Sequence, residues 1–513
     1  MKINKENSRT RNAIRNVLSG ILNKSILLLF PFLIRSILIK TLGAEYLGLS
    51  SLFTSILQVL NLAELGFGSA IIFSLYKPIS VGDKVTISAL LNLYKKIYRI
   101  IGILVFFTGL IILPFLKYLI NGGYPQDINI YILYILYLTN SSVSYFLFAY
   151  KSSLLIAHQR TDITSNVMSI ISVLQYLVQI IVLYIFKNYY LFVIVMIIFT
   201  ILNNITSSII VDYKYPDYKC YGDVPPEIKE QIKTKVTGLM IDKVCQTSRN
   251  SLDSIFISYF LGLNLVAVYN NYYTIFNAVV GLMAIFSSSI LPGIGNSIVE
   301  ESVKKNYLDM NKFNFIYMWI SGIATVMLLC LYQPFMKLWM GEKMLLKFSS
   351  VILISLYFYI LKMGDIRGTY SDAIGLWWEN RYRAIGETLT NIVLNYLLGK
   401  MFGINGIILA TLISLFTINF MYGSSILFKK YFGSKRFLKY LSSQLRYFLA
   451  TSIAAFLSFS ICELVPLNGL YEIVVRFIVS FFITNVVYIL LYNKTKNYLN
   501  AQSFILKLLG RDI

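Results

Sequence analysis

Long apolar stretches alternate with short polar connections along the whole chain. A membrane-spanning helix needs about 20 mainly apolar residues, and by that measure the sequence predicts about 14 spans. We place them at 18–39, 48–76, 98–116, 130–150, 163–186, 191–211, 237–261, 266–291, 314–335, 350–371, 385–401, 405–427, 445–462 and 471–492. The pattern therefore predicts an all-α polytopic membrane protein.

The composition supports this class and argues against several functions. Of 513 residues, 57% are hydrophobic and 14% are charged, which is unusual for a soluble globular protein. The net charge of +22 does not indicate a nucleic-acid partner, because the basic residues fall between apolar segments. Widely spaced cysteines and one histidine, His158, which we expect in a solvated loop, predict no metal site. Without a P-loop motif, we expect no cofactor and no direct use of ATP.

The basic residues also predict the orientation of the chain. Lys and Arg concentrate in the cytoplasmic loops of membrane proteins. Of the 46 basic residues, 33 fall in the segments on the side of the N-terminus and seven in the loops on the opposite side. This asymmetry predicts an even number of spans, with both termini in the cytoplasm.

The longest polar break, from Asp212 to Lys235, divides the chain into halves. Its prolines end the preceding helix, and a short charged helix is expected to lead into the seventh span. The halves look related, because TLGAEYLGLSSLFTSI at 41–56 and FLGLNLVAVYNNYYTI at 260–275 each join the first and second helices of a half. Parallel repeats of this kind place a substrate site between two bundles.

A few charged residues fall inside the predicted spans, where charge survives mostly in a bundle interior or on a substrate path. Arg249 lies about halfway along the seventh span, and Asp253 follows at i+4 on the same face. One interpretation is a cationic substrate contact tuned by a neighbouring carboxylate. The alternative is an internal ion pair that holds helices together.

A carboxylate, Glu64, falls near the middle of the second span, flanked by two glycines and one turn from Asn61. Burial disfavours the charged form of a carboxylate unless a cation pairs with it. Such a group suits proton coupling, and it equally suits a static pair with Arg249 or Lys24. Both interpretations stay open.

The remaining charges belong to the first and tenth spans. Lys24 and Arg35 lie on either side of a proline, and Lys24 is the deeper candidate for the lumen, while Arg35 can reach outward to the interface. In the tenth span Lys362 lies near the middle, with Asp365 at i+3, and Arg367 is a candidate for either the lumen or the cytoplasmic interface.

Over nearly its whole length the chain resembles the polysaccharide-repeat (O-antigen or capsule) flippases of the multidrug/oligosaccharidyl-lipid/polysaccharide exporter superfamily. The resemblance is carried by TLGAEYLGLSSLF, AELGFGSAI, LDSIFISYFLGLNLVAVYNNYYTI, GIGNSIV and DAIGLWWENRYRAIGETLTNIVLNYLLGKMFGINGIILATLIS. It implies two six-helix bundles around a central cavity, followed by two further helices. The corresponding segments are an N-terminal bundle at 1–212, a cytoplasmic linker at 213–235, a second bundle at 236–428, and two extra helices with a tail at 429–513.

The resemblance also implies a substrate, a short oligosaccharide on a polyprenyl diphosphate, and a cationic cavity for the diphosphate. That role falls on Lys24, Arg249 and Lys362, with Glu64, Asp253 and Asp365 as candidate ion-coupling or ion-pair residues. An anion drawn into a low-dielectric vestibule does require fixed positive charge.

We therefore expect a flippase, and not an enzyme, in the bacterial cytoplasmic membrane, where it moves lipid-linked repeat units from the inner to the outer leaflet by alternating access. Membrane lipids are expected partners, as are a polysaccharide polymerase and glycosyltransferases. The alternatives are a cation-coupled multidrug exporter, a peptidoglycan-precursor flippase and, from another class, a membrane-embedded polysaccharide polymerase. Such a polymerase is expected to carry a sizeable outer loop, whereas the longest predicted one runs from Gln333 to Phe348.

Overall fold

A computed structural model describes residues 2–64, 67–227, 229–230, 232, 247, 251–464 and 468–508. Every regular element in these ranges is a helix, which confirms the predicted all-α class. The chain divides into two compact units, Met1–Ala267 and Val268–Ile513. The finer boundaries expected from the resemblance stay a prediction.

The helices of the first unit follow one another with short connections. They are α1 (Lys2–Thr41), α2 (Ala44–Leu60), α3 (Phe67–Val81), α4 (Lys84–Ile112), α5 (Ile130–Phe146), α6 (Ser152–Ala157), α7 (Thr161–Ile185), α8 (Tyr189–Lys214) and α9 (Ser251–Leu261). Helix α9 packs within this unit, where Ser251 donates to Gln58 Oε1 at 3.1 Å and Ser258 donates to the Leu119 carbonyl at 2.6 Å.

The predicted second span is broken, and the expectation of one continuous helix over 48–76 was wrong. Helix α2 ends at Leu60, a 3-10 turn occupies Asn61–Glu64, and α3 begins at Phe67. Two glycines, Gly66 and Gly68, follow the turn in the sequence, and glycine is a poor helix former in a helix interior. The break places Glu64 at the end of a helical segment instead of in the middle of one.

The two repeat-like segments share a structural signature at their glycines. Gly43, between α1 and α2, has φ 117°, and Gly262, directly after α9, has φ 86°. Side chains disfavour positive φ, so both junctions require glycine. Five residues after Gly43, Gly48 lets α2 approach closely, because a Cβ there would lie 2.2 Å from the Leu263 carbonyl oxygen.

The second unit begins within a long helix that starts one residue after Gly262. Its helices are α10 (Leu263–Glu300), α11 (Val303–Met340), α12 (Phe348–Met363), α13 (Asp365–Ile374), α14 (Arg381–Ser414), α15 (Gly423–Leu427), α16 (Phe437–Leu464), α17 (Leu470–Tyr492) and α18 (Lys496–Leu508). Two π-helical stretches, Leu415–Tyr422 and Phe428–Phe432, flank α15.

Helix α14 contains a hairpin. Gly403 has φ 58° and ψ −135°, outside the helical region. Asn391 donates to Thr411 Oγ1 at 3.0 Å, although 20 residues of straight helix would separate them by about 30 Å. A Cβ on Gly406 would lie 1.9 Å from the Leu398 carbonyl oxygen, so the returning arm touches the first one. The 52-residue helical stretch Arg381–Phe432 therefore makes two passes.

Ten helices among the described residues are long and apolar enough to cross a membrane, or 11 when the bent pair Ile130–Phe146 and Ala149–Ala157 counts as one span. The prediction of about 14 differs for two reasons. The hairpin stretch holds two of the predicted spans, 385–401 and 405–427. The second predicted span is represented by two shorter apolar helices, Ala44–Leu60 and Ile71–Val81. About half of the seventh predicted span, 237–261, lies outside the described residues, and its described end forms the helix Ser251–Leu261.

His158 is not the solvated loop residue that the sequence predicted. Its ring lies 4.4 Å from the ring of Tyr215 and 5.9 Å from that of Tyr218, and Nδ1 lies 2.8 Å from the Leu154 carbonyl oxygen. The residue is half-buried. Burial lowers the pKa of His158, so the neutral ring is favoured in the folded protein.

Candidate functional site

Glu64 lies in a cluster of hydroxyl groups supplied by α4 and α5. Tyr98 donates to Glu64 Oε1 at 2.5 Å, and Tyr145 donates to Oε2 at 2.7 Å. Asn61, one turn earlier, accepts hydrogen bonds from Ser141 at 3.1 Å and from Tyr145 at 3.3 Å. Both carboxylate oxygens are therefore held by neutral donors from two neighbouring helices.

The cluster continues to Tyr94, one turn before Tyr98 on α4. Tyr94 donates to the Tyr98 hydroxyl at 3.0 Å, and the two rings pack edge to face with centroids 4.5 Å apart. A Cβ on Gly68 would lie 2.9 Å from the Tyr94 hydroxyl oxygen. The absence of a side chain at Gly68 thus leaves room for this hydroxyl.

The cationic candidates of the first half occupy different environments. Lys24 is exposed on α1, one residue after Asn23, whose amide donates to Ser169 of α7 at 3.1 Å. Arg35, on the same helix, is partly buried. Arg249 lies outside the described residues. Asp253 is described, and it is 2% exposed on α9.

The candidates of the tenth span form a closed pair. Lys362 lies in the last turn of α12 and Asp365 opens α13, and the Lys362 ammonium lies 2.7 Å from Asp365 Oδ2. The side chain of Lys362 is 4% exposed, and that of Asp365 is 27% exposed. Tyr317 of α11 donates to the same carboxylate oxygen. The predicted neighbours at i and i+3 are thus brought together, although Gly364 separates the two helices.

A buried polar network that the sequence analysis did not predict lies beside this pair. Arg367 donates to Asn419 Oδ1 at 3.0 Å, and the Asn419 amide donates to Glu387 Oε2 at 2.7 Å. Arg383 donates to the same glutamate oxygen at 3.2 Å. Arg367 is 5% exposed, so its side chain is enclosed by protein. The spacing of Arg383 and Glu387 at i and i+4 was the available signal.

The chemistry of these groups suits binding more than catalysis. The first unit offers a carboxylate in a neutral hydroxyl cluster. The second offers three buried basic side chains, Lys362, Arg367 and Arg383, beside the carboxylates Asp365 and Glu387. No group of three or more His, Cys, Asp or Glu residues in the described part of the chain is arranged to hold a metal ion.

No protein-family model matches the chain, and no curated protein matches it. Solved structures do share its fold. One described as "Lipid II flippase MurJ, inward closed conformation" has a TM-score of 0.65 at 17% identity, over 98% of this chain and 100% of that chain. An inward-facing multidrug resistance MATE family transporter of the MOP superfamily has a TM-score of 0.58 at 16% identity, over 81% and 99%. A variant of a Vibrio cholerae MATE transporter has 0.55 at 15%, over 86% and 100%.

These similarities establish the architecture. The chain has the same fold as these solved structures, one of which is a transporter of the MOP superfamily. It is a multi-pass membrane protein.

Proposed function

We propose that the protein is a flippase that moves polyprenyl-diphosphate-linked oligosaccharide repeat units from the inner to the outer leaflet of the bacterial cytoplasmic membrane. The observation that carries this proposal is the extent of the match to a flippase. The lipid II flippase structure covers 98% of the chain, whereas the two MATE structures leave between about a seventh and a fifth of it unmatched.

The charges in the second unit support an anionic substrate. Three basic side chains lie beside two carboxylates in the buried network of α12 to α14. A diphosphate group is recognised by charge-assisted hydrogen bonds from Lys and Arg. An excess of positive charge also disfavours a cationic drug as the substrate.

We assign diphosphate contacts to Lys24 and Lys362, which the structure describes, and to Arg249 from the sequence alone. In the present structure Asp365 holds the Lys362 ammonium. A diphosphate oxygen would replace Asp365 when the lysine side chain turns toward the substrate. Tyr317 still donates to Asp365 after this exchange, so the carboxylate keeps a hydrogen bond.

The test is translocation of fluorescent lipid-linked oligosaccharides in proteoliposomes that hold the purified full-length protein. A polyprenyl diphosphate carrying a polysaccharide repeat is expected to cross, and Lys362→Met is expected to slow it at least about tenfold, the loss of one charged contact of about 1.4 kcal/mol or more. Lys312→Met is the matched control, because Lys312 forms an ion pair of the same 2.7 Å length with Asp309 at i−3.

Three results would change the proposal. Transport of lipid II in preference to the repeat unit would favour a peptidoglycan-precursor flippase. Efflux of cationic dyes without lipid translocation would contradict the flippase and favour a drug exporter. Equal rates for Lys362→Met and wild type would remove Lys362 from the substrate path.

A further inference from the structure

We propose that a cavity at the ends of α11, α16 and α17 binds a zwitterionic phospholipid of the bilayer, whose headgroup carries an ammonium and a phosphate. The cavity has a volume of about 360 Å³, within the range of small-ligand sites. It lies in the second unit, between the C-terminal turns of α11 and α16 and the N-terminal turns of α17. The inference does not rest on the proposed function, because none of the described residues assigned to the transported substrate lines this cavity.

The polarity of the cavity changes along the helices as the polarity of a phospholipid does. On α11 it is lined by Leu329 and Pro334 and, nearer the end of the helix, by Lys337. On α16 it is lined by Phe459 and, one turn later, by Glu463. Both helices are candidate membrane spans, so their ends lie near the depth of the lipid headgroups. An amphiphile matches both parts of the cavity, whereas a soluble ligand matches the charged part alone.

The apolar wall continues onto an exposed apolar surface. Phe348, the first residue of α12, stacks with Phe459 at a centroid distance of 4.8 Å. Phe456, one turn before Phe459 on α16, is 73% exposed. The acyl chains of a lipid in the cavity are therefore expected to extend along α16 into the bilayer.

The charged side chains form two walls of opposite sign. On the side of α16 and α17, Arg476 contacts Glu463 at 3.1 Å and Glu472 at 2.9 Å, so two carboxylates share one guanidinium and leave a negative charge. On the side of α11, Lys337 supplies a positive charge, and its ion-pair partner Glu342 is not among the described lining residues. A zwitterion with its phosphate toward Lys337 and its ammonium toward the carboxylates matches this separation.

Both charged groups are accessible to a ligand. The side chains of Lys337 and Glu342 are 55% and 73% exposed, and an exposed ion pair contributes little to stability, so a phosphate can replace Glu342. Glu463 is 55% exposed and meets Arg476 through Oε1. A carboxylate accepts several hydrogen bonds, and a primary ammonium donates three. The trimethylammonium of phosphatidylcholine donates none, so we expect phosphatidylethanolamine to be preferred.

Native mass spectrometry of the purified full-length protein in detergent micelles tests the site. The protein is titrated with phosphatidylethanolamine, phosphatidylcholine or phosphatidylglycerol, each with two oleoyl chains. Wild type is expected to retain one phosphatidylethanolamine at least about tenfold more tightly than phosphatidylglycerol, which has no ammonium and meets the carboxylates unfavourably. Equal retention of the three lipids would overturn the proposal.

Two variants each remove the charge of one wall. Lys337→Met and Glu463→Gln are each expected to abolish the preference, and because both change exposed side chains, the protein is expected to fold as wild type does. Lys84→Met is the matched control, since Lys84 is 59% exposed and pairs with Asp217 at the same 2.7 Å, but in the first unit. An unchanged preference in Lys337→Met or in Glu463→Gln would contradict the assignment.

Soluble phosphoethanolamine distinguishes a lipid site from a site for the headgroup alone. It carries the same ammonium and phosphate without acyl chains, and an equimolar amount is expected to leave the lipid bound. Displacement of the lipid at that concentration would assign the cavity to a soluble zwitterion and overturn the lipid. Tighter retention of phosphatidylglycerol, increased further in Glu463→Gln, would assign an anionic lipid and overturn the zwitterion.

Discussion

The ammonium of Lys362 lies 2.7 Å from Asp365 Oδ2, and the lysine is the more deeply buried member of the pair, with 4% of its side chain exposed against 27% for Asp365. Tyr317 supports only the carboxylate. The two partners therefore depend on each other unequally. Without Asp365 the ammonium loses its closest anion in a dry environment, whereas without Lys362 the carboxylate keeps a donor and some access to solvent.

This asymmetry predicts the ranking of three variants. Asp365→Asn is expected to destabilise the protein by about 3–5 kcal/mol, the cost of leaving a buried charge without its partner. Lys362→Met is expected to cost less, and the double variant is expected to recover most of the loss because it removes both charges. Denaturant unfolding in detergent micelles measures all three. Lys337→Met is the control, since the Lys337–Glu342 pair is also 2.7 Å long but exposed, and its loss should not be measurable. Asp365→Asn with wild-type stability would contradict this account.

Gly48 is expected to be intolerant of even one added methyl group. The Cβ of Gly48→Ala would lie 2.2 Å from the Leu263 carbonyl oxygen, and a backbone atom cannot turn aside as a flexible side chain does. We expect the free energy of unfolding to fall by about 1–3 kcal/mol, because α2 is forced away from Leu263, which also belongs to the first unit. Thermal unfolding measures it, with Gly281→Ala as the control, because a Cβ on this helical glycine meets no atom within 4 Å. A stabilised Gly48→Ala protein would show that α2 does not closely approach Leu263.

The half-buried ring of His158 predicts a pH dependence of stability. Its folded-state pKa is lowered from 6.5 by burial, so the unfolded chain binds the proton more readily than the folded protein does. The corresponding stability is complete above about pH 6.5 and is lost as the pH falls below that value. His158→Phe keeps a ring beside the tyrosines but cannot titrate. In this variant the free energy of unfolding is expected to depend less on pH in this range. An unchanged pH profile would show that other groups are responsible.

The distribution of basic residues predicts the membrane topology. Reporters fused after Lys235 and after Lys430 are expected to be cytoplasmic, and a reporter after Tyr124 is expected to be external. The measurement compares alkaline phosphatase with green fluorescent protein at each site, since each is active on one side only. An external reading after Lys235 would change the number of passes in the first half.

The fold class and most of the spans were predictable because they depend on the lengths of apolar runs alone. Even the hairpin was predicted as the two spans 385–401 and 405–427, although helical structure continues through nearly all of it. The break at Glu64 was not predicted, because its flanks are as apolar as a continuous span. Hydropathy records how much apolar surface a segment has and does not record where its backbone bends.

The sequence identified the individual charged residues of the candidate sites. It showed much less well which other side chains lie around each of them. Lys362 and Asp365 are near neighbours in sequence, so their spacing brought them together. Glu64 instead meets hydroxyls 34 and 81 residues away, on helices that sequence alone does not pair with it. With 39 tyrosines in the chain, no pattern marks Tyr98 and Tyr145 as different from those that only pack.

The reversal at Gly403 has a consequence for how the protein is made. Its two arms leave the ribosome as one apolar block within the 52-residue stretch Arg381–Phe432, without a hydrophilic loop that could wait outside the bilayer while the first arm inserts. Transfer of the Gly403 bend across the bilayer costs little free energy, because Lys400 is the only charged residue near it. The arms are therefore expected to insert together as a preformed pair. If only one arm inserted, every later helix would cross the membrane in the reversed orientation.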